Sequence, residues 1–237
     1  MNDTSEFERI IALLLPALGE TLAMVAIVMF LVVLLGTPLG VLVFNLSEGG
    51  LFPNRLLHGV LSWLISIGRS LPFLVLMAAL IPFTRLVVGT SIGIPAAVVP
   101  MTLAGTAFFS RIVENAIRAV PPILVKVARA SGASNGQIIT SVQLSEAVPI
   151  LLGGLTINSI AMVDYSAIAG TIGAGGLGYV AVTYGYQRFD QPVMLATIIA
   201  LVLFVGAIQL VGDRLVRRAT PELARSAGRP RLLQRAR

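Results

Sequence analysis

The stretch Leu22 to Phe44 contains no charged residue, and nothing else in the chain constrains its fold so tightly. A helix needs about 20 mostly apolar residues to cross the hydrocarbon core of a bilayer. This run supplies them without a break. A soluble domain could not hide it along with the rest of the sequence. Of the 237 residues, 56% are hydrophobic and only 12% are charged, and the mean hydropathy is +0.91. An integral membrane protein is the class that fits.

Four further windows reach spanning length: Leu61 to Phe83, about Ile92 to Ile112, Ala147 to Ile168, and Pro192 to Leu210. Arg69 and Pro72 interrupt the first of these, and Pro95 and Pro100 lie near the start of the second. Prolines and glycines are tolerated in spans because neighbouring helices re-satisfy the freed backbone groups. They predict bent helices. The expected fold is all-α, with about five transmembrane helices in a domain over residues 20–218. An N-terminal segment, 1–19, precedes it, and a basic tail, 219–237, follows. Met1 to Glu8 is acidic and lacks the basic opening of a secretory leader, so it is expected to be kept.

Basic residues set the orientation. Five spans place the termini on opposite sides. With the C-terminus inside, Arg55, Arg118, Lys126, Arg129 and the tail from Arg214 onward are cytoplasmic, leaving only Arg9, Arg85 and Arg188 outside. The formal charge of +6 is concentrated in that tail. A basic tail beside a membrane marks its cytoplasmic face and does not point to nucleic acid. The chain has no cysteine, which excludes a thiolate metal site, and its single histidine, His58, lies at a membrane edge, which gives a metal cluster or a Ser-His pair little support. An intramembrane enzyme is therefore poorly supported. An ion-coupled transporter would more naturally carry several buried charges or an internal repeat.

Arg118 to Glu146 is the polar segment between apolar windows, and the orientation makes it cytoplasmic. Pro121-Pro122 ends the preceding helix, since neither can donate a backbone hydrogen bond. Ile123 to Ser131 can form a short helix, and Gly132 supplies a turn or a close contact. Ser134 with Gln137 fits the capping-box pattern and starts a second helix, with Ile138, Ile139 and Val142 as its apolar stripe. The small residues around Arg129 let this surface lie close against a soluble partner, or alternatively against its own protein.

Lys126-Val127-Ala128, Gly132 and Leu144-Ser145 resemble the coupling loop of binding-protein-dependent ABC importer permeases, which typically reads Glu-Ala-Ala, then Gly, then Leu-Pro. The acid is here Lys126 and the proline Ser145. Arg69-Ser70-Leu71-Pro72-Phe73, Ile81 to Arg85, Val88 to Gly93, Val113 to Ala116, Tyr165 to Tyr186 and Gly212-Asp213-Arg214 are similar to the methionine importer permease family. The resemblance covers Leu22 to Arg218. It implies a homodimeric permease in the bacterial inner membrane, bound to two ABC ATPase subunits and served by an extracytoplasmic substrate-binding (lipo)protein. It implies that Lys126, Val127, Ala128, Arg129, Ser131, Gly132 and Ala133 dock on the ATPase. The partner hydrolyses ATP, so the chain is not an enzyme and needs no cofactor or metal.

Asp164 is the one acid deep in an otherwise apolar window. Such acids are costly and mark functional sites by default. It can meet a substrate ammonium, pair with a basic group such as Arg69, or simply be hydrated near the outer surface. Tyr165 and Ser166 beside it offer hydroxyls to a substrate pathway. Arg69 itself snorkels to the inner surface or pairs inside the bundle. Gly173 to Gly178 reads G-x-G-x-x-G, but it follows a span, not a strand, so a close-packing external turn is expected and not a dinucleotide site.

Overall fold

The computed structural model describes residues 3–220, without the side chains of residues 3–5. The basic tail from residue 221 lies outside the described residues. The fold is a helical bundle, with no strand among those residues. Among the described residues four helices are long and apolar enough to cross a membrane, and the spans number five if one sharply bent pair is counted as a single span.

α1 runs from Asp3 to Leu46 as one helix of 44 residues, about 66 Å at 1.5 Å per residue. That is roughly twice the hydrocarbon thickness. The N-terminal segment is helical from Asp3 and continues into the span. The continuation has a packing cause. Ala17 is buried against Leu177, Val180 and Val193, with Ile10, Leu13 and Leu14 beside them, and Arg9 meets Asp190 at 2.8 Å.

The second window differs most from expectation. It is broken into α2 (Arg55–Ser70), α3 (Phe73–Ala79) and α4 (Ile81–Val88), and α2 and α3 meet at a bend of 107°. Pro72 has no donor and forces the residue before it out of the helical region, and Leu71 is accordingly extended at ψ 134°. Asn54 caps the start of α2 by accepting from the Leu57 N–H at 3.1 Å. His58 Nδ1 donates to the Val43 carbonyl at 3.1 Å. The lone histidine therefore ties α2 to α1.

α5 (Ile94–Arg118) is the most enclosed span, with Pro100 inside it. Gly36 and Gly40 of α1 let it approach. A Cβ at Gly36 would sit 3.1 Å from Phe109, and one at Gly40 would collide with the Ser110 carbonyl and with Val113. Small residues four apart allow this close crossing in membranes. α6 (Pro122–Ala130) and α7 (Asn135–Ile138) follow, then α8 (Ser145–Ala169), α9 (Gly176–Val180) and α10 (Gln191–Ala219). The second helix of the polar segment is not a separate surface helix. α7 continues through a widened turn at Ile139–Leu144 into α8, so the chain is helical without a break from Asn135 to Ala169. No glycine or proline stands between 137 and 148 to stop it. Met24, Met77, Met101 and Met162 lie in the main core, with Met29 packed against it, so these methionines fill space between helices.

Candidate functional site: the α6–α7 elbow

The elbow is built from its ends inward. Pro121 and Pro122 stop α5 and start α6, with Pro122 in the first turn where its missing N–H costs nothing. The far end of α6 closes in a Schellman motif. Gly132 N–H donates to the Arg129 carbonyl and Ala133 N–H to the Ala128 carbonyl, both at 3.0 Å. This needs a left-handed residue, and Gly132 has φ +80° with nothing within 4 Å of where a Cβ would stand. The glycine is there for the turn and makes no close contact. The capping box at α7 is present: Ser134 N–H donates to Gln137 Oε1 at 2.8 Å, and Gln137 N–H to Ser134 Oγ at 3.3 Å. Two capped helix ends, back to back, fix the angle of the elbow.

α6 has no buried residue. Leu124 packs toward the core, while Ile123 and Val127 are 60% and 56% exposed one turn apart. Lys126, Arg129, Ser131 and Gly132 are also exposed, and Ala128 and Ala133 are half-buried. Lys126 and Arg129 have no carboxylate partner among the described residues.

Behind the elbow the bundle is held by polar contacts that sequence reasoning missed. Asn45 at the end of α1 and Gln143 in the widened turn exchange two hydrogen bonds of 2.9 Å. Both side chains are buried. Asn45 also donates to the Val41 carbonyl at 2.9 Å and accepts from the Leu51 N–H at 3.3 Å. Glu114, buried in α5, takes Arg111 at 2.6 Å and Arg118 at 2.8 Å, and Arg118 lies over the Phe44 ring.

The three residues named for a substrate pathway do not converge. Successive helical positions point about 100° apart, and α8 presents them so. Asp164 is exposed and forms no ion pair with Arg69 or any other described residue. Tyr165 is half-buried and stacks on Phe73 of α3 with ring centroids 4.2 Å apart. Ser166 is buried and donates to the Val163 carbonyl at 2.7 Å, so its hydroxyl is engaged within α8. Arg69, in the last turn of α2, sits over Phe108, well along α2 from the elbow end of the bundle.

The glycine-rich turn is occupied by the protein itself. Glu20 Oε2 accepts from the Gly176 N–H at 2.6 Å, and Thr21 Oγ1 from the Leu177 N–H at 2.9 Å. A carboxylate from α1 thus fills the backbone cradle that a phosphate would need.

The described residues form a polytopic helical bundle with an exposed elbow at one end, the architecture of a multi-pass membrane protein. A family model, "binding-protein-dependent transport system inner membrane component", matches residues 36–225. The chain belongs to that family, whose members are multi-pass inner-membrane permeases and leave ATP hydrolysis to a separate subunit. It is 48% identical over 206 residues to a Vibrio cholerae protein named as a probable D-methionine transport system permease, MetI, covering 87% of this chain and 92% of that one. A Pasteurella multocida protein of the same name is 43% identical over 199 residues, covering 84% and 92%. Among solved structures, the chain resembles a subunit of an inward-facing MetNI methionine ABC transporter, with a TM-score of 0.88, 41% identity, and 93% and 100% coverage.

Proposed function

We propose that this chain is the permease subunit of an ATP-driven importer for methionine, working as a homodimer by alternating access. The α6 end of the bundle is cytoplasmic, and the N-terminus lies outside. The observation that carries the reading is the elbow: two capped helix ends hold an exposed apolar pair, Ile123 and Val127, clear of the bundle. That ridge rests in a groove of an ABC ATPase, flanked by Lys126, Ala128, Arg129, Ser131, Gly132 and Ala133. Closure of two ATPases then levers α8, which is continuous with α7. The relatives' names supply the substrate.

α2, with only Ile65 buried and with Leu56 and Trp63 76% and 64% exposed, suits the second copy of the chain. Tyr165, stacked on Phe73 beside the break at Leu71-Pro72, and the exposed Asp164 border the pathway between copies, with Ser166 behind them. A substrate-binding protein delivers methionine to the outer end.

Uptake into proteoliposomes holding the cognate ATPase tests this, with the binding protein supplied outside. Methionine should enter only with ATP at the ATPase. Uptake driven by an ion gradient without the ATPase would refute it. Lys126→Glu should weaken the ATP hydrolysis linked to transport, because the lysine replaces the family's acid and implies a complementary change in the partner groove. Unchanged coupling would count against that contact.

A further inference from the structure

A cavity of about 330 Å³ opens beside α6. Phe44 and Leu51, near the end of α1, and Val120, just past α5, give it apolar walls, while Arg118, Lys126 and Arg129 supply cations. No acidic side chain lines it. Arg118 shares Glu114 with Arg111, so that cluster keeps one net positive charge. Lys126 and Arg129 add two more without carboxylate partners among the described residues.

The cavity lies where α1 and α5 run out, at the boundary between the apolar belt and the polar elbow. Basic pockets between spans at a cytoplasmic surface hold phospholipid headgroups. We propose that this cavity binds an anionic phospholipid, with its phosphate among Arg118, Lys126 and Arg129 and an acyl chain along the Phe44 and Val120 walls. The proposal rests on the reading that places the α6 end at the cytoplasmic surface. Two features favour a lipid over a carboxylate from the ATPase. Lys126 and Arg129 stand at the edge of the groove contact, but they line the cavity from the α6 flank they share with Pro122 and Val125, beside the outward ridge of Ile123 and Val127. An acyl chain also needs apolar walls, and a carboxylate does not. The elbow is then seated partly on lipid, which ties its position to the composition of the inner leaflet.

The test is native mass spectrometry of the full-length permease released from phosphatidylcholine vesicles with or without phosphatidylglycerol. A retained phosphatidylglycerol adduct is expected. In K126Q/R129Q it should fall about 25-fold, from roughly a fivefold effect per removed charge. R85Q, at the opposite end of the bundle, should leave it unchanged. Both substituted residues in the double variant are exposed, and an unshifted melting temperature would show that it still folds. An equal adduct in the double variant overturns the proposal. Displacement by millimolar inorganic phosphate would make the cavity a free-anion site, and loss of the lipid on adding the ATPase subunit would assign it to a partner carboxylate; either outcome overturns the lipid. No arm depends on transport, so failure of the importer reading in uptake assays and failure of this proposal are separable.

Discussion

Replacing Asn45 or Gln143 should have unequal effects, because the two side chains have different fallback partners. In Gln143→Leu, Asn45 loses both shared bonds but keeps the Val41 carbonyl for its Nδ2 and the Leu51 N–H for its Oδ1. The cost is the net worth of two hydrogen bonds, about 2 kcal/mol. In Asn45→Leu, Gln143 is left buried with no other side-chain partner among the described residues, and the Leu51 N–H loses its acceptor. Desolvation of groups left unpaired is costlier, about 4 kcal/mol in all. The double variant N45L/Q143L removes both amides, so it should recover part of the loss, leaving mainly the Leu51 penalty. For a chain of this size, 1 kcal/mol shifts the melting temperature by roughly 2–4 °C. Fluorescence-detected size exclusion after heating in detergent should then show shifts of about 6 °C for Q143L and about 12 °C for N45L, with the double variant less damaged than N45L. Equal single-variant shifts, or a double shift equal to their sum, would refute the assignment of these bonds.

Gly132→Ala puts a side chain at φ +80° and should cost about 1 kcal/mol at the elbow, lowering ATP hydrolysis stimulated by the binding protein. Gly136→Ala, on the same elbow with open space around it and no positive φ, should leave it unchanged. Glu20→Ala removes a charged acceptor worth about 1.5–3 kcal/mol, which should appear as faster hydrogen exchange at the Gly176 amide. Gly40→Ala collides with α5 backbone and should abolish folded protein, whereas Gly59→Ala, with nothing within 4 Å, should express normally.

Much of the elbow was legible because its chemistry is local. Proline, a left-handed glycine and a Ser–Gln capping box act within a few residues, so sequence spacing alone places two helix ends there. The apolar windows were legible for the same reason. The break at Leu71-Pro72 was visible only as a suspect proline, because sequence does not reveal whether neighbouring helices will bridge a missing hydrogen bond or let the chain turn through 107°. α1 reached back to Asp3 because Ala17 packs on Leu177 and Val193, contacts far apart in the chain. The Asn45–Gln143 pair, 98 residues apart, leaves only a weaker trace: two amides at the margins of apolar windows. Asp164 shows the opposite failure. An acid in an apolar run signals function, and helical spacing already turns Asp164, Tyr165 and Ser166 about 100° apart; which of the three faces the bundle depends on packing that the sequence does not reveal.

Coupling by an elbow requires stiffness along one route and freedom elsewhere. From Ile123 and Val127 the route enters the bundle through the Schellman turn, the capping box and the continuous α7–α8 run, which contains neither glycine nor proline between 137 and 148. The Asn45–Gln143 pair then joins that run to α1, and Arg118 at the end of α5, paired within its own helix to Glu114, lies over the Phe44 ring of α1. A push on α6 therefore reaches α8 along the helical run and α1 through the amide pair, and α5 through the Arg118–Phe44 contact. At the opposite end, α3 and α4 are short, broken at Leu71-Pro72 and at Leu80, and α3 meets α8 through the Phe73–Tyr165 stack. Stacked rings can slide at little cost compared with breaking a buried amide pair. Stiffness at the elbow and slippage at the broken helices together predict that α3 moves against α8 when the ATPases close. Spin labels on Leu74 and Ile157, both exposed, should change separation between the ATP-bound and ATP-free complex. Labels on Leu42 and Val148, on α1 and α8 near the amide pair, should keep theirs, and a change there would break the scheme.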